Sequence, residues 1–217
     1  MRPSPATPPF IMKLKLATFR LLALAGGVLL LAAASFQAAD AVKPATGPAR
    51  FTADGELIRP RDYRTWVYVG APLTPNDMNE GAAAFPEFHS VYIDRDSYEH
   101  YKRTGQWREG TVIVKELISV GSKQAASGQG YFMGEYLGVE AMVKSRERFP
   151  DEPGNWAFFS FTSLNREPPK KQTTRMPTAQ CAQCHQASAK ENLVFTQHYP
   201  VLRAAKGVGT ENPENRW

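Results

Sequence analysis

The chain has 217 residues, a formal net charge of +5 at neutral pH and two cysteines. Arg2, Lys13, Lys15, Arg20 and Asp40 belong to a leader, and setting it aside brings the charge down to about +2, a balance that gives no argument for a nucleic-acid partner. About 176 residues remain, enough for one domain with a sizeable core, and they contain no internal repeat.

Residues 1–41 read as an export signal. Lys13, Lys15 and Arg20 form a basic start and Leu21 to Ala34 an uncharged apolar run. Ala39-Asp40-Ala41 offers a cleavage site, with Gln37-Ala38-Ala39 as a second choice and Met12 as a second candidate start. The apolar run is shorter than the roughly 20 residues a spanning helix needs, so no membrane span is expected after processing. Val42 to Asp62, rich in Pro and polar residues, reads as a tethered arm, and 63–217 as a single domain.

The first firm strand is Thr65 to Val69, closed by Gly70. A long loop from Ala71 to Pro86 leads to a short strand, Ser90 to Ile93. Asp94 or Asp96 caps a helix over Ser97 to Arg103 that Gly105 ends. Gly110 to Val120, Tyr131 to Lys144 and Trp156 to Thr162 are β-branched or aromatic runs separated by Gly- and Pro-bearing turns, the pattern of antiparallel strands. Asn165 to Arg175, with Pro168, Pro169 and a basic cluster, reads as a solvated loop. Thr178 is placed to cap a helix over Ala179 to Lys190, and Phe195 to Lys206 reads as a short strand or turn before a helical turn. The fold class expected is α+β: predominantly antiparallel sheet, a few short helices, and a C-terminal helix bearing the chain's most informative motif.

That motif is Cys181-Ala182-Gln183-Cys184-His185. In C-x-x-C-H the two thiols can each add to a haem vinyl group while the adjacent histidine reaches the iron, the attachment signature of a c-type haem. A zinc site would need further ligands, and the chain has no other cysteine; a redox dithiol is expected near the start of a βαβ unit, not close to a C-terminus. Cys181 and Cys184 are therefore expected to hold haem c and His185 to ligate its iron. Export and haem attachment agree, because both place the mature protein in a bacterial periplasm.

Alternation along Thr111 to Val120 sets Lys115 on one face with Ile113 and Leu117, and Glu116 on the other with Val114 and Ile118. Each charge sits among apolar neighbours. Lys115 either extends to an edge and pairs with a carboxylate, or is desolvated into a neutral, nucleophilic amine. Periodicity does not choose between the two.

The sequence resembles the cytochrome P460 family. The resemblance rests on Tyr63 to Gly70, Val91 to Asp94, Gly110 to Leu117, Gly130 to Gly134, Glu152 to Ala157, the haem motif and Val194 to Gln197, which occur in the family's order. It implies an antiparallel β domain, often dimeric, whose haem carries a third covalent link from a lysine amine to a meso carbon. Lys115 matches that lysine. It also implies oxidation of hydroxylamine to nitrous oxide, with electrons passed to a periplasmic acceptor cytochrome, at an iron whose sixth position is open to hydroxylamine or nitric oxide.

The family's proton acceptor comes from the stretch before the haem motif. Here Pro168 to Gln180 contains no acid, so Glu167 is the nearest candidate base. Related β-sheet cytochromes c-prime bind nitric oxide or carbon monoxide without turnover, and the aromatics from Trp156 to Phe161 suit such a pocket. A methionine in the sixth position would instead make an electron carrier, with Met78, Met133, Met142 and Met176 to choose from. His100 and His198 read as solvated or structural, and His89 is undecided.

Overall fold

Five runs rich in β-branched and aromatic residues pair into one antiparallel sheet. In chain order they are β3 (Val67–Gly70), β4 (Phe88–Ile93), β5 (Val112–Val120), β8 (Met133–Lys144) and β9 (Trp156–Ser160), and the same order runs across the sheet. Each strand lies beside its sequence neighbour, as short connections favour, apart from a small hairpin of β6 (Gln124–Ala125) and β7 (Gly128–Gln129) inserted between β5 and β8. The computed structural model describes residues 47–162 and 168–206. The leader 1–41, the start of the arm, Glu167 and residues 207–217 lie outside the described residues.

Period-two alternation gives the sheet two buried faces. Val91, Ile93, Ile113, Met142 and Phe158 point to one, where they pack with Tyr101, Ala182, Leu202 and Ala205 from three helices: α1 (Arg95–Thr104), α2 (Thr178–Ser188) and α3 (Pro200–Ala205). Val112, Val114, Val139, Ala141, Val143 and Phe159 point to the other and pack with Leu57, Tyr63, Phe149 and Phe161. The architecture is the α+β arrangement expected. Among the described residues no helix is long and apolar enough to cross a membrane.

Two expectations change. The arm expected over Val42 to Asp62 is, from residue 47, packed structure: β1 (Arg50–Phe51) pairs with β2 (Leu57–Ile58) around a turn at Gly55, and Leu57 is fully buried. The loop expected over Asn165 to Arg175 contains β10 (Gln172–Thr173), which pairs with β2. Strands of two residues carry no alternation, and this one's partner lies more than a hundred residues away in sequence, so neither was visible in the local pattern.

The helix α1 follows its signals. Asp94 Oδ1 accepts from Ser97 N at 3.0 Å as the N-cap, and Gly105 ends the helix in the left-handed conformation at φ 67°. Asp94 is also a junction, since Oδ2 accepts from Val112 N at 2.9 Å and Oδ1 from Arg108 Nη2 at 3.1 Å, with 4% of the residue exposed. Asp94→Ala therefore loses the cap and strands a buried amide at the start of β5. A loss of roughly 2–4 kcal/mol is expected, measured as a lower denaturant midpoint; a midpoint equal to wild type would refute it.

Candidate functional site

On α2, Cys181, Cys184 and His185 stand at i, i+3 and i+4, which puts them on one helix face. Thr178 opens this helix rather than capping it: Pro177 is the N-cap, and the Thr178 hydroxyl donates to Glu152 Oε2 at 2.6 Å. The helix also ends at Ser188, two residues short of the expected Lys190. Ala182 is its one buried residue, so it has little apolar surface apart from the face carrying the motif. Both thiols and the imidazole line an apolar-walled cavity of about 350 Å³, whose other walls come from β4, β5, β8 and β9, the segment before β4 that carries Phe85, and the segment after α2 from Val194 to Tyr199.

His185 is held from behind. Its Nδ1 lies 2.7 Å from the Leu193 carbonyl; a carbonyl can only accept, so Nδ1 carries the proton and Nε2 keeps a lone pair, the arrangement of a metal-ligating histidine. Rings of Phe158 and Phe195 flank it, each with its centroid 4.7 Å away. Burial keeps the imidazole below its ordinary pKa, with the Leu193 bond opposing and the Lys115 charge adding a smaller push, so the neutral form is favoured. The supporting turn is strained, because Asn192 and Leu193 both take left-handed backbone, φ 49° and 64°. Each such residue costs on the order of 1–3 kcal/mol. Trp156 Nε1 donates to Asn192 Oδ1 at 3.1 Å and Val194 N to Glu191 O at 3.0 Å, which holds the turn and its outward carbonyl.

Lys115 reaches the same cavity from β5. Its Nζ lies 2.7 Å from Glu140 Oε2 and 5.1 Å from the centre of the Phe85 ring, with 28% of the side chain exposed. Of the two readings of this lysine, the structure carries the pairing with a carboxylate, but on the cavity wall that Cys181, Cys184 and His185 also line, not at a solvated edge. Glu116 points to the opposite face, where it is 3% exposed and accepts from Tyr63 Oη and Arg64 Nε, both at 2.9 Å. Burial, then the bond to Glu116, push the Tyr63 phenol well above its ordinary range.

Glu140 is the residue sequence reasoning missed. It stands directly opposite Lys115 in the β5–β8 register and lines the cavity between buried Val139 and Ala141. The same alternation that singled out Lys115 singles out Glu140, but only the register brings them together. Burial first, and Glu140 second, push the Cys181 thiol up. Glu167, the acid chosen for proximity in sequence, lies outside the described residues.

Two further histidines bear on the same cavity. His198, read as solvated or structural, is exposed, stacks on Phe195 and also lines the cavity. His89 lines it too, with Nε2 buried, 3.5 Å from Glu87 Oε1 and without a hydrogen-bond partner among the described residues. His89 holds the Glu87 carboxyl below its usual range, against the opposing effect of burial. Among the methionines, Met142 and Met176 line the cavity, whereas Met78 and Met133 are exposed.

The donor set fits a covalently attached haem. Two cysteines, neither in a disulfide, share an apolar cavity with an imidazole whose Nε2 is unencumbered. Among the described residues no group of three or more His, Cys, Asp or Glu side chains is arranged to hold a bare metal ion. A family model described as Cytochrome P460 matches residues 60–196, more than half of the chain. No curated protein matches it.

Proposed function

The chain belongs to the cytochrome P460 family, and from that premise we propose that this haem c cytochrome oxidises hydroxylamine, with nitrous oxide as product. The observation that carries the proposal is the convergence of Lys115 with Cys181, Cys184 and His185 on one cavity. A simple electron carrier does not require a lysine amine on the wall of that cavity.

In this reading Cys181 and Cys184 anchor the haem through thioethers, His185 Nε2 ligates iron, and Lys115 Nζ supplies a third covalent link. When bound, the haem supplies an iron that takes a small ligand and accepts its electrons. The chain's own contribution is exclusion of water and control of protons. Phe85, Phe158 and Phe195 supply apolar wall, and a base is needed to accept protons as electrons leave the substrate. Glu140 and His89 are acceptors that line the cavity, and Glu87 Oε1 lies 3.5 Å from His89 Nε2. We further propose export through residues 1–41 to the periplasm, delivery of electrons to a periplasmic cytochrome, and association as a homodimer.

The apolar wall favours a second reading, binding of nitric oxide or carbon monoxide without turnover. Anaerobic incubation of the holoprotein with hydroxylamine and an electron acceptor separates them. Nitrous oxide above a haem-free control is expected; a nitric oxide complex with no nitrous oxide from hydroxylamine would leave the gas-binding reading in its place.

A further inference from the structure

We propose that Glu140 is the proton acceptor that converts Lys115 into the amine that bonds to the haem. The inference rests on Lys115 being the cross-linking residue. A lysine ammonium has no lone pair, so it must lose a proton before its nitrogen can form a bond. The ring face of Phe85 stabilises the cation further. Something must take the proton where the bond is to form.

The groups around Lys115 Nζ narrow the choice. Glu87 and His89 face it from the β4 side, Glu140 from β8, and Cys181 and His185 from α2. Among the described residues, Glu140 is the one acid at ion-pairing distance, 2.7 Å, and Lys115 is Glu140's own ion-pair partner. The contact is built into the sheet, because Lys115 and Glu140 are directly opposed in the antiparallel register and point to the same face. Cross-strand neighbours of this kind hold the acceptor on the nitrogen without a search.

The step balances with a peroxide as two-electron oxidant. One C–N bond forms between Nζ and a haem meso carbon, the meso C–H bond and two N–H bonds of the ammonium break, and two electrons leave. Hydrogen peroxide takes the two electrons and two protons and becomes two waters. One proton remains, and it goes to the Glu140 carboxylate.

The test is Glu140→Gln in the full chain, matured with haem, then digested to look by mass spectrometry for Lys115 joined to the haem-bearing Cys181–Cys184 peptide. Wild type is expected to carry the link. Glu140→Gln should keep both thioethers, which reports correct folding, while Lys115 stays free. Treated with hydrogen peroxide at pH 7, the isolated variant should form the link at least about a hundredfold more slowly than Lys115 beside an acceptor does. The reference for that rate is Glu140→Asp, which restores a carboxylate. Raising the pH should recover the reaction in Glu140→Gln, because hydroxide then takes the ammonium proton in the carboxylate's place. Full linkage in Glu140→Gln at neutral pH would overturn the proposal, and so would failure to recover at high pH, which would make Glu140 a packing residue only. A wild-type chain with free Lys115 would overturn the cross-link reading beneath it, an outcome read on a different sample.

Discussion

Lys115→Ala is expected to move the ferrous absorption maximum of the holoprotein to shorter wavelength and to reduce hydroxylamine oxidation to the haem-free background. Lys115 faces the cavity from β5 with Glu140 at 2.7 Å and Phe85 beside it. Removing it should cost little stability, since the side chain is about a quarter exposed and its ion pair with Glu140 is a modest contributor. A bond from nitrogen to the macrocycle changes conjugation and geometry, which are levers on haem chemistry. The absorption shift and the loss of activity should thus appear together in a protein that melts within a few degrees of wild type. An unchanged ferrous spectrum would show that Lys115 makes no bond to the haem, whatever happened to turnover.

The second large effect is expected at His185. His185→Gly removes the proposed iron ligand but keeps Cys181 and Cys184, the proposed thioether anchors, so a denaturing-gel haem stain should remain positive. Hydroxylamine oxidation should fall by at least about a hundredfold, more than loss of an outer partner of a ligand usually produces. Free imidazole should restore part of it, because the Leu193 carbonyl and the rings of Phe158 and Phe195 still form the slot in which an imidazole ring sits. Activity equal to wild type without imidazole would place the iron ligand elsewhere, and His89 and His198 are then the cavity-lining candidates.

Long, repetitive signals were legible without the structure. The β5, β8 and β9 runs hold enough alternating apolar residues to declare themselves, and α1 carries both a cap acid and a terminal glycine in sequence. Pieces set by distant partners were hidden. Leu57 is fully buried, yet β2 has two residues and closes only against β1 and β10. Thr178 looked like a cap because local sequence favours it, whereas Glu152, 26 residues earlier, takes its hydroxyl.

For the site, the division follows range. Thioether and iron ligation need residues one helical turn apart, so C-x-x-C-H is readable as a string. The odd placement of Lys115 among apolar neighbours is readable too, because a strand's period is local. Which acid meets that lysine is decided by strand register, a long-range quantity. Reading the string therefore led to Glu167, near the motif, as a candidate base, whereas the pairing of Glu140 with Lys115 across the sheet is visible only in the register. The sequence by itself determined the C-x-x-C-H motif and the helix that carries it, and with them the expectation of a covalently attached haem. Only the tertiary structure decided what surrounds it, because the β5–β8 pairing, the strained turn behind His185 and the approach of His89 each join residues whose neighbourhood exists only after the sheet has closed.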